Sequence, residues 1–531
     1  MLFTSYSFLG FAAVLILLYY LVPKKCQWML LLAASYLFYF FAGPEYLLYI
    51  MTTTVTTWFA ACAIQRRGDK TAAYVKEYKE TLSREEKKAW KEKGKRVQRR
   101  WMLGCLFLNL GILAVVKYTT FALTNINALL RATGSGSQLA IPDFVLPLGI
   151  SFYTFQALGY LIDVYRGTVP AEKNLFRLGL FVSFFPQLIQ GPISRFSDLG
   201  ESLYKEHPFR AETVSLGLQR ILWGYFKKLV IADRILTAVN VIIRQPETHS
   251  GAWVLVGMLF YALELYADFT GGIDITIGIG QVLGITVKEN FMRPYFSKSI
   301  KEYWRRWHIS MGTWFTDYIF YPISVSKPLL KLSRWSRAHL GEAVGKRAPV
   351  YLSSFAVWAA TGVWHGASWN FIVWGLGNWV VIMASQELEP LYGRFHKRFP
   401  NVGGRIWFRA FQVIRTVLLM SCLRMFDCYR DVPLTFRMFG TMFTEFNWSI
   451  LWNGSLLQLG LNAVDYGVLL MGLALLIAVS MIQRRGSVRG RIAVLPYPVR
   501  VALWYGLFLV VLLAGAYGIG YDASQFIYNQ F

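Results

Sequence analysis

Long apolar runs recur along the whole chain and restrict this sequence to folds that a membrane supports. An α-helix needs about 20 mainly apolar residues to cross the hydrocarbon core of a bilayer. Of the 531 residues, 55% are hydrophobic and only 16% are charged. We therefore predict an all-α polytopic membrane protein with about eleven transmembrane helices plus re-entrant or interfacial helices. The runs lie near residues 8–22, 27–43, 46–63, 101–123, 143–163, 212–232, 251–267, 350–364, 368–385, 410–423, 465–482 and 501–520, with shorter or broken stretches at 174–190, 272–287 and 309–324.

Basic residues are concentrated in the loops between these runs. The formal net charge of +25 raises the question of nucleic acid, but lysine and arginine beside spans are typical of cytoplasmic loops. We therefore expect membrane lipids as partners and no nucleic acid. Residues 64–100 hold the largest block and predict a helical excursion into the cytoplasm. The same rule places both termini outside, so residues 1–520 are interpreted as one integral-membrane domain and residues 521–531 as an extracytoplasmic tail.

The cysteines and histidines do not form metal-binding motifs. The five cysteines are scattered without a CxxC pair, and the six histidines include no HExxH or HxxxH pair. No Walker or dinucleotide-binding glycine pattern is present. The sequence therefore predicts neither a metal site nor a bound cofactor.

One histidine, His365, lies inside an apolar stretch that runs from residue 350 to residue 383. An ionisable side chain at membrane depth is costly, and by default it marks a functional site. If the segment is a continuous helix, Thr361, Ser368 and Trp369 share the face of His365, and Trp364 is its neighbour. A neutral imidazole in such a chamber can take a proton from a hydroxyl group. A purely structural hydrogen-bonding role is the alternative.

A second unusual segment, residues 266–322, combines acidic residues, many glycines and an aromatic and basic cluster that contains His308. Broken polar segments are tolerated in a membrane only where protein or a water-filled cavity surrounds them. An aromatic belt at the headgroup level is an alternative for Trp304, Trp307, Tyr318 and Tyr321. The basic residues are suited either to lipid phosphates or to a nucleotide-bearing donor. The candidate lining residues here are Trp304, Arg305, Arg306 and Asp317.

The segments WRRWHIS, with His308, and WHGASWNFIVWG, with His365, lie 57 residues apart when measured between the histidines. They resemble the two signature regions of the membrane-bound O-acyltransferases (MBOATs), and in particular the bacterial branch of the alginate-O-acetylation type. The resemblance extends to LPLGISFYTFQALGYLIDVYRG, FFPQLIQGPISRF and RILWGYFKKLVIADR. It covers most of residues 1–425. The block at 64–100 is longer than expected for this branch.

The resemblance implies a ring of tilted helices around a central tunnel in a bacterial cytoplasmic membrane. It implies that His365 is catalytic and that His308 assists donor placement or proton transfer. Acetyl-CoA is the implied acyl donor, an extracytoplasmic SGNH-hydrolase-like acetyltransferase is the implied partner, and a polysaccharide is the acceptor. Two alternatives stay open: transfer of D-alanine from a carrier protein to teichoic acid, and, in a different class, a polymer transporter or flippase.

The chain ends in FIYNQF, which predicts either an interfacial aromatic anchor or an acyl acceptor. The ending resembles a C-terminal acceptor motif of envelope-polymer acylation systems, and this resemblance favours Tyr528 as an acyl relay. A phenol, with an ordinary pKa near 10, loses its proton more readily than an aliphatic alcohol. We therefore predict that Tyr528 carries the acyl group between donor and partner.

Overall fold

The computed structural model describes residues 3–134 and 136–517. Within these residues the chain is built from α-helices and short 3₁₀ or π segments, and no strand occurs among them. The chain divides into two compact units, one made of residues 1–214 with 280–288 and the other of residues 215–279 with 289–531. The all-α prediction is confirmed.

The first unit contains the N-terminal helices and the basic excursion. Helices α3 and α4 continue well beyond the length of a span and are joined by a short turn, where Ser83 and Glu86 form a capping box. The rings of Tyr74 and Trp90 pack 4.3 Å apart across this turn. The excursion at 64–100 is therefore helical, as predicted. The helices of this unit are α1 (Tyr6–Leu21), α2 (Gln27–Phe40), α3 (Leu47–Glu77), α4 (Arg84–Ala132), α5 (Ile150–Arg166), α6 (Leu175–Ser183), α7 (Phe185–Gln190) and α8 (Phe196–Leu203).

The remaining helices lie mostly in the second unit, which carries both unusual histidines. They are α9 (Ala211–Tyr225), α10 (Asp233–Arg244), α11 (Ala252–Val282), α12 (Ile300–Arg306), α13 (Ile309–Phe315), α14 (Tyr321–Ser324), α15 (Lys327–Leu340), α16 (Glu342–His365), α17 (Trp369–Glu387), α18 (Glu389–Arg398), α19 (Ile406–Tyr429), α20 (Val432–Thr444), α21 (Ala463–Gln483), α22 (Val488–Ala493) and α23 (Tyr497–Ala514).

Six of the described helices are long and apolar enough to cross a membrane, and the bent pair α17–α18 would make a seventh. These findings indicate a multi-pass membrane protein. They do not confirm the expected count of about eleven spans. The reason is that several apolar runs form helices shorter than a span, such as α1 with 16 residues and α5 with 17. The six long helices lie at Pro44–Glu77, Arg84–Ala132, Ala252–Val282, Ile406–Tyr429, Ala463–Gln483 and Tyr497–Ala514.

The prediction of a broken stretch at 272–287 is wrong for most of its length, because α11 continues unbroken to Val282. The glycines of α11 instead allow this helix to pack closely against α9. A Cβ atom added to Gly271 would lie 2.9 Å from the carbonyl oxygen of Gly224, and one added to Gly278 would lie 2.9 Å from that of Gly217. Small residues at such contacts let membrane helices approach closely.

Candidate active site

His365 is the last residue of α16 and is buried, with 8% of its surface exposed. The chain turns away at Gly366 and resumes as α17 at Trp369. A Cβ atom on Gly366 would lie 2.1 Å from the ring of Phe371, so only glycine fits this close approach. The helix break therefore presents His365 at a helix end, and the condition of a continuous helix past His365 is not met.

This break corrects two of the predicted lining residues. Ser368 and Trp369 do not share a helical face with His365. The hydroxyl of Ser368 instead donates to the side-chain oxygen of Asn370, and Trp369 is 56% exposed. Thr361 is buried one turn before His365 on the same helix, as predicted, and its hydroxyl donates to the carbonyl of Val357.

His308 lies between α12 and α13 and is 1% exposed. It adopts a left-handed backbone conformation with φ of 48°, which is uncommon for a residue other than glycine and typical of functional positions. Asn290 contacts this turn three times. Its amide Nδ2 lies 3.3 Å from Nδ1 of His308, its Oδ1 accepts from the N–H of Ser310, and its carbonyl accepts from the N–H of Ile309.

The environment of His308 keeps its imidazole neutral. Burial, reinforced by the positive charge of Arg424, lowers the pKa of His308 from about 6.5 to about 3. The ring of Phe269 packs edge-on against the imidazole with centroids 5.1 Å apart. His308 is therefore a neutral hydrogen-bonding group at physiological pH.

Aromatic rings connect the two histidines. The ring of Trp364 lies 6.1 Å from His308 and 5.1 Å from His365, measured between centroids. Trp374 packs edge-on against His365 at 4.7 Å, and Phe371 stacks on it at 6.4 Å. The structure thus brings both predicted histidines and Trp364 into one aromatic cluster.

Arg424 is a further member of this cluster that sequence analysis missed. Its guanidinium lies over three tryptophan rings, 4.8 Å from Trp374, 5.1 Å from Trp307 and 5.9 Å from Trp304. Asp427, one turn later on α19, lies 3.6 Å from it, and both residues are buried. The sequence signal was weak, because Arg424 lies one residue past the end of the apolar run at 410–423.

A cavity of about 1180 Å³ reaches this cluster at His308. Of the candidate lining residues, Trp304, Arg305, Asp317 and Thr361 line this cavity, and Asp317 lies in the π-helical segment Thr316–Phe320. Its lining also includes four exposed cations against one exposed carboxylate, Glu389, so positive charge is in excess where the cavity meets the surface. These cations are Lys298, Lys301, Arg305 and Arg415.

Other predicted residues stand apart from the cavity. Arg306 is not among the described lining residues and forms an ion pair of 2.5 Å with Glu302. His365 and Trp364 also lie outside the described lining, so His365 is connected to the cavity through Trp364. Tyr528 lies outside the described residues.

The tryptophans and tyrosines of this region are mainly part of the protein interior. Trp307 and Tyr318 are buried, and the ring of Trp304 packs against Trp358 with centroids 4.7 Å apart. Tyr321 is 55% exposed, as a belt residue would be, and Trp304 is partly exposed. Burial of Trp307 and Tyr318 disfavours the belt interpretation for these two residues.

The fold is all-helical in the described residues, and several of its helices are long enough to span a membrane. Together with the pair of connected, buried histidines, this defines a polytopic membrane protein with an internal polar site. Residues 172–423, which include both histidines, match the sequence model of the membrane-bound O-acyltransferase family. Together with the relatives below, this match shows that the chain belongs to the MBOAT family.

Relatives of known name align over much of the chain. The probable alginate O-acetylase AlgI of Pseudomonas syringae pv. tomato is 34% identical over 66% of this chain and 62% of its own length. The peptidoglycan O-acetyltransferase of Helicobacter pylori is 30% identical over 60% of each chain. The teichoic acid D-alanyltransferase of Bacillus subtilis is 29% identical over 48% of this chain and 62% of its own length. In each case the aligned region spans less than two thirds of the relative.

Proposed function

We propose that this protein is a membrane O-acyltransferase that modifies a cell-envelope polymer. The observation that carries the proposal is the connection of two buried histidines through Trp364, with one of them lining a large cavity with a cationic rim. Family membership supports acyl transfer as the reaction. The names of the relatives support a polysaccharide or cell-wall polymer as the final acceptor.

The donor in this proposal is acetyl-CoA, which enters the His308 cavity from the cytoplasm. Four exposed cations at the rim, Lys298, Lys301, Arg305 and Arg415, suit a molecule with several phosphate groups. Neutral His308 lies deeper in the cavity, where it can donate a hydrogen bond to the thioester carbonyl from one ring nitrogen. Its role is to position the donor.

His365 acts as the general base in the transfer step. It takes the proton of a phenol or alcohol, and the oxygen attacks the thioester carbonyl. The new C–O bond forms, the C–S bond breaks, and the thiolate of coenzyme A receives the proton from the imidazolium. The acyl group therefore passes from the thioester directly to the acceptor oxygen, without an intermediate on His365.

Tyr528 is proposed as the first acceptor, since the basic loop at 484–500 favours a cytoplasmic position before α23 and therefore an outer position for the tail. The acetyl ester of Tyr528 then exchanges with a serine hydroxyl of an extracytoplasmic SGNH-hydrolase-like partner, which delivers the group to a polysaccharide. On this proposal the protein resides in a bacterial cytoplasmic membrane with both termini outside.

Intact-mass analysis after incubation with isotopically labelled acetyl-CoA tests this scheme. We expect one acetyl group on the wild-type protein, none on His365→Ala, and none on Tyr528→Phe. Labelling of Tyr528→Phe at the wild-type level would rule out the relay. Labelling by a D-alanyl carrier protein but not by acetyl-CoA would identify the protein as a D-alanyltransferase. Polymer movement without covalent labelling by either donor would favour a transporter.

A further inference from the structure

A second cavity, of about 600 Å³, lies in the second unit and shares no described lining residue with the His308 cavity. Helices α9, α11 and α22, the π-helical segment Phe226–Ala232 and the segment 289–293 provide its charged side. Helices α21 and α23 provide an apolar wall. Neither the catalytic scheme nor the resemblance to the family gives this space a role.

Ion pairs fix the charged side of the cavity. Arg220 binds two carboxylates, with distances of 2.8 Å to Asp274 and 2.5 Å to Glu289. Lys227 lies 2.6 Å from the other oxygen of Asp274. These two cations and two carboxylates balance each other, and their mutual contacts hold them in a rigid array.

Two further arginines make the cavity electropositive. Arg293 and Arg489 also line it, so four cationic side chains stand against two carboxylates, a net charge of +2. Arg293 has a φ of 50°, and its guanidinium donates to the carbonyl of Ser480 over 3.2 Å. Arg489 donates to the carbonyl of Leu216 over 2.6 Å. Such a concentration of positive charge favours an anion.

The charges around Arg293 strengthen the preference of the cavity for an anion. Partial burial and the positive charges of Arg306 and Arg484 lower the pKa of Arg293. A phosphate placed among these guanidiniums would offset their mutual repulsion. Charge-assisted hydrogen bonds from arginine to phosphate are among the stronger polar contacts in proteins.

The opposite wall of the cavity suits a hydrocarbon chain. Its residues belong to two helices whose mean hydropathy over a span-length window is 2.1 for α21 and 1.8 for α23. A cavity with an electropositive side and an aliphatic side fits a ligand that carries both an anionic group and a hydrocarbon chain. The aliphatic lining residues are Leu475, Leu476, Val479, Leu503, Leu507 and Val510.

We propose that this second cavity is a binding site for one anionic phospholipid, with the phosphate at Arg293 and Arg489 and one acyl chain between α21 and α23. The site is distinct from the donor cavity, since an acetyl group is too short to use the apolar wall. Phe291 lines the site and also packs against Trp307 at 5.1 Å and His308 at 6.4 Å. A bound lipid would therefore support the aromatic wall behind His308.

Native mass spectrometry of the purified full chain in detergent tests this site. Titration with dioleoylphosphatidylglycerol should add one tightly bound lipid, whereas zwitterionic dioleoylphosphatidylcholine should bind at least tenfold more weakly. Arg293→Gln combined with Arg489→Gln should weaken the phosphatidylglycerol adduct at least tenfold. Arg485→Gln is the matched control, because this exposed arginine lies in the same basic loop outside the described lining, and it should leave binding unchanged.

Leu507→Trp tests the apolar wall without changing charge. It should weaken binding of the dioleoyl lipid about tenfold while the protein keeps its wild-type unfolding temperature. Equal binding of both lipids, or equal weakening by Arg485→Gln, would overturn the proposal. Displacement of the lipid by inorganic phosphate at equal concentration would show a simple anion site. Displacement by acetyl-CoA would show that the cavity belongs to the donor path. Either displacement would also overturn the proposal.

Discussion

His308 and His365 are both buried in the second unit, but the contacts that hold them differ in kind. His308 lies in a strained left-handed turn that Asn290 holds through side-chain and backbone contacts, and it faces the large cavity. His365 ends a helix and is surrounded by aromatic rings, with Trp364 between it and His308. The polar contacts of Asn290 with the His308 turn suit a residue that positions a ligand. The aromatic surroundings suit a base that must be neutral before it reacts.

The largest difference between the histidines should appear on removal of each imidazole. His365→Ala should lower acyl transfer on the order of 1,000-fold, because general-base catalysis contributes roughly 100- to 10,000-fold. Labelling kinetics with radioactive donor measure this effect. His339→Ala is the control, since this exposed histidine lies outside the described cavity lining. If the His365→Ala variant folded normally and kept more than a tenth of wild-type activity, His365 would not be the base.

Replacing Arg424 tests whether the aromatic rings around His365 depend on this buried cation. Arg424→Met should lower the free energy of unfolding by about 3–5 kcal/mol, because it leaves Asp427 buried without its ion-pair partner. Activity should fall as well, since Trp374 contacts both Arg424 and His365. Thermal unfolding in detergent measures the stability change.

The control for Arg424 is Arg409→Met, because Arg409 is an exposed arginine on the same helix and lies outside the described cavity lining. It should change stability by less than about 0.5 kcal/mol. Adding Asp427→Leu to Arg424→Met should recover part of the lost stability, because both charges are then absent from the interior. Equal unfolding temperatures for Arg424→Met and the wild type would contradict a supporting role for this arginine.

Replacing Asn290 tests whether the polar contacts around His308 position the acyl donor. Asn290→Ala should reduce activity about 10-fold by loosening the turn around His308, and the loss should appear mainly as a higher KM for the acyl donor. Asn453→Ala, at an exposed asparagine, should leave KM unchanged. A loss confined to kcat would instead indicate that His308 takes part in the chemical step.

The sequence predicted much of this arrangement. The rule that an ionisable residue in an apolar run marks a site found His365, and the polar segment at 266–322 led to His308. Arg424 escapes this rule because it lies just past the end of the apolar run at 410–423. Placing Ser368 and Trp369 on the face of His365 assumed a continuous helix, whereas the helix break depends on a contact between Gly366 and Phe371 that only the folded chain shows. Gly271 and Gly278 likewise suggest helix breaks when the sequence is considered alone. Only the folded chain shows that helix α9 packs closely against them.

The smallest expected effect concerns pH. Since burial and Arg424 lower the pKa of His308 to about 3, its imidazole becomes protonated only below about pH 4 and stays neutral between pH 5 and 8. Any loss of activity between pH 8 and 5 must therefore arise from protonation of another group. His308→Gln should lower activity by the same factor at every pH in this range, so its pH profile should run parallel to the wild-type profile. Loss of the acidic limb in His308→Gln would show that His308 itself titrates, and the positioning role would then belong to a different residue.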